Sequence, residues 1–196
     1  MQGYHTLVTI GNFIVLFGGL QLRKDICLQP FSLVEDANHN FDIVYSNDVF
    51  VYDILNCSWH KTTYNRDDLI PAGRYGHCAA AINTRLMLVY GGRMKGGRYL
   101  SDSWIYDIID HKWTCISESL TVCPSPRAFA AVTVPYSSHT SLLTEYYDDI
   151  VLFGGTDGIE IFSDLWLFKK EETYGQYIWE RQVPITAGQS SLPAGR

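Results

Sequence analysis

Apolar residues in this chain gather in short unbroken runs and short alternating stretches. No segment sustains the three-and-four spacing of an amphipathic helix. The runs FIVLF (13–17), LMLVY (86–90) and IVLF (150–153) are rich in β-branched and aromatic residues, and each ends at a glycine doublet: Gly18-Gly19, Gly91-Gly92 and Gly154-Gly155. Such runs, bounded by Gly, Asn or Asp, predict buried or half-buried strands. A second set, VFVYD, SWIYD and LWLFK, is headed by Asp48, Asp102 and Asp164 and predicts the next strand. A third, CSWHKT, KWTCI and YIWERQ, carries Trp59, Trp113 and Trp179. The small apolar segments HCAAAI and AFAAVTV, downstream of Arg74 and Arg127, suit a crowded place where strands converge. The pattern therefore predicts four strands per unit, with strand A near 5–10, 77–82 and 128–134, then B, C and D in order. Helix is expected to be scarce.

These features recur in register, and a repeat of this length decides the fold. Each unit closes on a proline and an arginine: Pro71 and Arg74, Pro124 and Arg127, Pro193 and Arg196. Asp to Trp is 11 residues in two copies and 15 in the third; Trp to Arg is 15, 14 and 17. Doublet to Asp is 29, 10 and 9 residues, and Arg to the next doublet is 17 and 27. The near-constant spans imply fixed geometry. The stretched ones read as surface loops that accept insertions.

Four-stranded units that bury little alone must stack on their neighbours, and radial stacking gives a β-propeller. The glycine doublets, Tyr52-Asp53 and Tyr106-Asp107, the spaced tryptophans and PAGRYGH at 71–77 resemble the kelch-repeat family over nearly the whole chain. The resemblance implies an all-β, kelch-type propeller of three four-stranded antiparallel blades, approximately 3–62, 72–117 and 126–183, with a fourth repeat starting at 192–196. The third copy has Phe168-Lys169 in place of Tyr-Asp and a longer hairpin, so its C–D turn is expected to differ. Kelch propellers generally close with more blades than three. The sequence is therefore read as part of a larger ring, completed by further blades of a parent chain; completion by a partner copy is the alternative.

Each repeated residue type has an expected structural role. The glycines permit positive φ and close backbone approach where strand B ends. Each Trp supplies an apolar plate between adjacent blades, its indole N–H satisfying a buried carbonyl. Arg74 and Arg127 sit between blades and fix backbone carbonyls with several donors.

The composition, 46% hydrophobic with 14% aromatic, suits an all-β domain, and 196 residues can build a real core. No 18-residue apolar span marks a membrane helix, and no charged start with an apolar core marks a secretory leader. The net charge of −6 argues against a nonspecific nucleic-acid binder. Five cysteines (27, 57, 78, 115 and 123), odd in number and without Cys-x-x-Cys spacing, point to a reduced intracellular setting, cytoplasmic or also nuclear. Asn56-Cys57-Ser58 is read as a chance match to a glycosylation acceptor.

No nucleophile elbow, phosphate-binding loop or His-Glu-x-x-His pair occurs, so no catalytic residue, cofactor or metal is assigned. His39 in DANHNFD is read as part of a solvated loop. His5 and His77 share one repeat position, which points to packing. Function then falls to the loops of a rigid scaffold. Antiparallel alternation puts B–C and D–A connections on one face. The 20–47 insertion brings Arg23 and Lys24 there, and RMKGGR brings Arg93, Lys95 and Arg98. Such a basic cluster on an acidic protein suits an acidic or phosphorylated peptide, and in kelch-type substrate receptors this is the usual peptide-binding face. On the opposite face, 136–149 and 171–177 add Tyr136, Tyr146, Tyr147, Tyr174 and Tyr177 as an aromatic, acidic edge. The expected function is a noncatalytic protein-interaction module. The alternatives are the noncatalytic kelch region of a larger enzyme, the third copy being similar to kelch units ahead of plant and protist serine/threonine phosphatase domains, and, further off, an enzyme resembling galactose oxidase.

Overall fold

Strand pairing follows the repeat. In the computed structural model, residues 2–24, 41–135, 149–171 and 174–183 are described. The chain begins with β1 (Gln2–Gly3), β2 (Thr6–Ile10), β3 (Phe13–Phe17), β4 (Leu20–Lys24), β5 (Phe41–Tyr45), β6 (Val49–Asp53) and β7 (Ser58–Lys61). It continues with β8 (Arg74–Tyr75), β9 (Cys78–Ala81), β10 (Leu86–Tyr90), β11 (Arg93–Met94), β12 (Ser103–Asp107) and β13 (Lys112–Cys115). Last come β14 (Ala131–Thr133), β15 (Ile150–Phe153), β16 (Leu165–Lys170) and β17 (Tyr177–Gln182). Three antiparallel four-stranded sheets result, ordered β2-β3-β6-β7, β9-β10-β12-β13 and β14-β15-β16-β17. They are blades 1, 2 and 3 of a partial kelch-type propeller. The helical content of the described residues is one 3-10 turn at Ser117–Ser119.

Alternation along the inner strands explains why the blades stack. In β10 every residue from Met87 to Tyr90 is buried, because the strand has a blade on either side. In β3 only Val15 and Phe17 are buried, and in β15 only Ile150 and Leu152. Successive side chains point to opposite faces of a sheet. Val15 and Phe17 therefore meet Met87, Val89, Trp104 and Tyr106 in one core, while Leu88, Tyr90 and Ile105 meet Ile150, Leu152, Trp166 and Phe168 in the other. Each fully buried large side chain contributes about 1.5–3 kcal/mol.

Trp113 packs its ring on Phe17 of blade 1 (centroids 4.9 Å apart), and Trp179 packs on Tyr90 of blade 2 (5.0 Å). Both are nearly inaccessible. Their indole N–H groups donate to hydroxyls, Trp113 to Tyr64 at 2.9 Å and Trp179 to Ser103 at 3.0 Å, and not to the backbone carbonyls expected from sequence. Trp59 also departs from expectation. It is 53% exposed, with Tyr52 of its own blade as its ring partner, because its face of blade 1 has no described blade against it.

The Tyr-Asp pairs set the C–D turns. Asp53 accepts the N–H groups of Leu55 and Asn56, and Asp107 those of Ile109 and Asp110. Cys57 and His111 then take positive φ to complete the turn. Blade 3 has Lys169 there, and its last two strands, β16 and β17, run on to six residues each.

The two B–C insertions are not plain loops. β4 and β5 pair as a hairpin, with β1 on the far side of β4, and β11 pairs with β8. Arg23 and Lys24 therefore lie in a strand, opposite Asp42 and Phe41, and not in an irregular loop.

Candidate functional site

The face bearing the B–C connections rests on two repeated knots. Arg74, fully buried, donates from Nη1 and Nη2 to the two oxygens of Asp102 at 2.6 and 2.7 Å, from Nη1 to the Gly91 carbonyl at 3.0 Å, and from Nε to Ala72 at 3.0 Å. Arg127 repeats the set on Asp164 (2.5 and 2.9 Å), Gly154 and Ser125. Trp104 and Trp166 add indole N–H donors to the same carboxylates at 2.7 Å. Burial opposes these charges, but the guanidinium and indole donors outweigh it and hold both carboxyls below the ordinary aspartate range. One residue from each of three sequence signals, the Arg, the doublet and the leading Asp, thus forms one hydrogen-bonded unit. The carboxylate role of Asp102 and Asp164 was missed in sequence; their recurrence ahead of strand C was the signal. In blade 1, Asp48 pairs with Lys61 at 2.9 Å, and no described arginine reaches it.

The doublets turn the chain out of strand B toward this face. All six residues, Gly18, Gly19, Gly91, Gly92, Gly154 and Gly155, have φ between +65° and +98°. A Cβ on Gly92 would lie 2.8 Å from the Cβ of His77 and 3.0 Å from the Tyr75 carbonyl, so blade contact and backbone hand both require glycine.

At the start of strand A, Tyr4, Gly76 and Phe129 occupy corresponding positions with φ of 57°, 62° and 60°. Their backbones link across blades, Phe129 N–H to the Gly76 carbonyl at 2.7 Å and Gly76 N–H to Tyr4 at 3.5 Å. The rings of Tyr4, Tyr75 and Phe129 converge from three blades, with centroids 5.9–6.4 Å apart and edge-to-face geometry; Tyr45 joins at 5.7 Å from Tyr75. Tyr4 and Phe129 remain 65% and 49% exposed. A non-glycine residue in this left-handed region costs about 1–2 kcal/mol, so this aromatic cluster is held in place by its surroundings.

Beside it, a groove of 270 Å³ runs between β5 and β11, lined by Asp42–Tyr45, Gly73, Met94 and Lys95. Gly73 permits the close approach of its loop to β5, since a Cβ would lie 2.1 Å from the Tyr45 carbonyl. Of the basic residues expected on this face, Lys95 and Arg98 are exposed. Arg93 is half-buried and engaged. Its Nε donates to Gly97 at 3.2 Å, Nη1 donates to the Tyr75 hydroxyl at 3.3 Å, and its guanidinium lies 5.2 Å from the Tyr99 ring centre. The side chains of Arg23 and Lys24 fall outside the described residues. Acidic groups share the face: Asp42 in the groove, and Asp157 capping the blade 3 loop through Ile159 and Glu160. The tyrosine-rich edge expected on the opposite face lies mostly outside the described residues. Of its residues, Tyr174 is exposed and Tyr177 stacks on Phe168 at 5.2 Å.

Beneath the face, His77 is buried, with Nε2 2.7 Å from the Thr6 hydroxyl and no partner for Nδ1 among the described residues. Burial, aided by the charges of Arg74 and His5, pushes its pKa down to about 3, so the ring is neutral at physiological pH. Among the described residues no three His, Cys, Asp or Glu side chains gather to hold a metal ion.

The chain matches the model of the KLHDC2/KLHL20/DRC7 Kelch-repeats domain over residues 4–195. It is 27% identical to Tip elongation aberrant protein 1 of Schizosaccharomyces pombe, over 86% of this chain and 12% of that protein. It is 30% identical to Adagio-like protein 1 of Oryza sativa subsp. japonica, over 90% of this chain and 23% of that protein. An F-box/kelch-repeat protein of Arabidopsis thaliana matches at 26% identity, over 86% and 30%. The chain therefore spans less than a third of these relatives. The solved structure of YjhT superposes with a TM-score of 0.59 at 14% identity, covering 95% of this chain and 53% of that one. Repeat, blade geometry and matched length agree: this chain belongs to the kelch-repeat family.

Proposed function

We propose that the chain is a protein-interaction module whose B–C face takes an extended acidic or phosphorylated peptide. The observation that carries this reading is the groove between β5 and β11, lined in part by Tyr45 and the exposed cation Lys95, with exposed Arg98 in the same connection as Lys95. Aromatic platforms with polar rims are the usual makeup of recognition surfaces. Arg93 shapes the loop through Gly97 and Tyr75, while Lys95 and Arg98 attract the ligand's charge. Kelch-repeat relatives make a scaffold role the natural setting, and an odd cysteine count without Cys-x-x-Cys spacing fits an intracellular one. The chain itself is read as noncatalytic, with any catalysis belonging to other parts of a longer protein.

Binding of a peptide array graded in acidity and phosphorylation tests the reading. The double variant Lys95→Glu, Arg98→Glu should weaken acidic ligands at least tenfold at low salt and flatten their salt dependence. If the variant keeps every ligand at unchanged affinity, the reading fails.

A further inference from the structure

β5 is an edge strand that turns backbone groups into the groove. Its sheet is ordered β1-β4-β5, so β1 covers one side of β4 and β5 forms the opposite edge. The register sets Val44 opposite Gln21 and Ile43 opposite Leu22, and the Ser46 N–H donates to the Gly19 carbonyl at 2.9 Å. Hydrogen-bonded and non-bonded pairs alternate along an antiparallel ladder. Counting back from the Ser46–Gly19 bond, Val44 and Asp42 are the residues bonded to β4. The N–H and C=O of Ile43 therefore point away from β4, and among the described residues no hydrogen bond meets them there.

The groove lies along this edge. Four consecutive residues of β5, Asp42–Tyr45, line it. Their side chains alternate between the two faces of the sheet, so what they share is the edge itself. Gly73 closes one end, its Cβ position only 2.1 Å from the Tyr45 carbonyl, which leaves Ile43 as the centre of the open stretch. Both walls belong to adjacent, described blades: β5 to blade 1 and β11 to the B–C connection of blade 2. The strand itself, Phe-Asp-Ile-Val-Tyr, has neither the proline nor the lysine that commonly guards an exposed edge. An unguarded edge is a template for another extended chain.

We propose that the bound peptide, an extended segment of a partner protein, is held as an added strand on β5, exchanging main-chain hydrogen bonds with Ile43. This rests on the peptide-binding reading and specifies how the ligand is held. Charge sets its composition: an acidic or phosphorylated side chain faces exposed Lys95 on the β11 wall, and an uncharged or basic one lies beside Asp42. Apolar side chains on the alternate positions meet half-exposed Ile43 and Tyr45. Tyr45 leads on to the aromatic cluster, its ring 5.7 Å from that of Tyr75.

Amide exchange followed by NMR tests this, with the tightest-binding member of the acidity-graded array as the probe. In the free chain the Ile43 amide should exchange much faster than that of Val44, which β4 already holds. Saturating peptide should slow Ile43 about tenfold or more and leave Val44 nearly unchanged. Ile43→Pro removes the outward N–H without touching the bonds to β4, and edge strands accept proline. It should weaken the peptide about tenfold, while Ile43→Val, which keeps the donor, should not. Circular dichroism and melting confirm that both variants fold. N-methylation along the peptide should weaken binding at every second amide only. A uniform effect along the peptide, or Ile43 exchange indifferent to saturating peptide, overturns strand addition and leaves the peptide-binding reading standing. Ile43 as protected as Val44 in the free chain would mean that the chain itself fills the edge, which also overturns it. An array with no binder overturns both.

Discussion

Arg74 and Asp102 meet through two parallel hydrogen bonds of 2.6 and 2.7 Å, although 28 residues separate them in sequence. Arg74 has no access to solvent and also holds the carbonyl of Gly91, so one side chain joins the entry of blade 2 to the ends of its strands B and C.

Removing Asp102 leaves the fully buried Arg74 charge uncompensated, and removing Arg74 leaves a partly buried carboxylate with Trp104 as its remaining side-chain donor. Arg74→Met or Asp102→Leu should each destabilise the fold by about 3–5 kcal/mol in urea denaturation. The double variant should lose less than the sum, by at least about 1 kcal/mol. Strict additivity would show that the two side chains are not energetically coupled.

Trp113 fills the seam between blades 1 and 2. Trp113→Ala should cost about 3–5 kcal/mol, and Trp113→Phe distinctly less, because an aromatic plate is kept on Phe17 while the hydrogen bond to Tyr64 is lost. A thermal melt unchanged by the alanine variant would contradict the burial.

Two glycines separate backbone hand from packing. Gly92 and Gly96 have φ of 98° and 85°, so alanine is strained at both. Only at Gly92 does a Cβ collide, with His77 and the Tyr75 carbonyl; at Gly96 nothing lies within 4 Å. Gly96→Ala should cost about 1–2 kcal/mol. Gly92→Ala should exceed it clearly, as measured by chemical denaturation.

His77 ties stability to pH. Its folded pKa, near 3, lies below the ordinary value of 6.5, so the unfolded chain binds a proton that the folded chain refuses. Stability attributable to the neutral ring is complete above pH 6.5 and falls as pH drops from there toward 3. The slope is about 1.4 kcal/mol per pH unit within that window. Asp102 and Asp164, with depressed carboxyl pKa values, add further loss only at the acid end, below the usual aspartate value. His77→Gln should flatten the profile between pH 6 and about 4.5. An unaltered slope would place the protonation elsewhere.

Thiol reactivity should divide by burial. Burial raises the Cys78 thiol to about 12, and its sulfur donates to the Ala130 carbonyl at 3.2 Å, whereas Cys57 and Cys123 are exposed. At pH 8 an alkylating reagent should modify Cys57 and Cys123 in the native protein and Cys78 only after denaturation. Native-state labelling of Cys78 at a comparable rate would contradict its burial.

The repeat was legible because its signals are local. A β-branched run ending in Gly-Gly, an Asp-led strand and a Trp-bearing strand follow one another in chain order within one blade, and neighbours in that order pair antiparallel. Even the altered C–D turn of blade 3 could be read from Lys169 standing where Asp53 and Asp107 cap the others. The partnership of Arg74 with Asp102 could not be read, since 28 residues and two strands of blade 2 separate the two, and only the folded blade brings them together. Nor could the cluster of Tyr4, Tyr75 and Phe129, whose members come from three repeats.

By itself the sequence determined the repeat, the strand order within each unit and the turns that glycine and aspartate set, because backbone hand and side-chain alternation are properties of a few neighbouring residues. Tertiary structure alone decided which of the similar residues are buried. Trp113 and Trp179 are covered while Trp59 is open, and Arg93 is engaged by Tyr75 and Gly97 while Lys95 and Arg98 face solvent. Burial depends on what stands opposite a side chain, and here that is supplied by a different repeat.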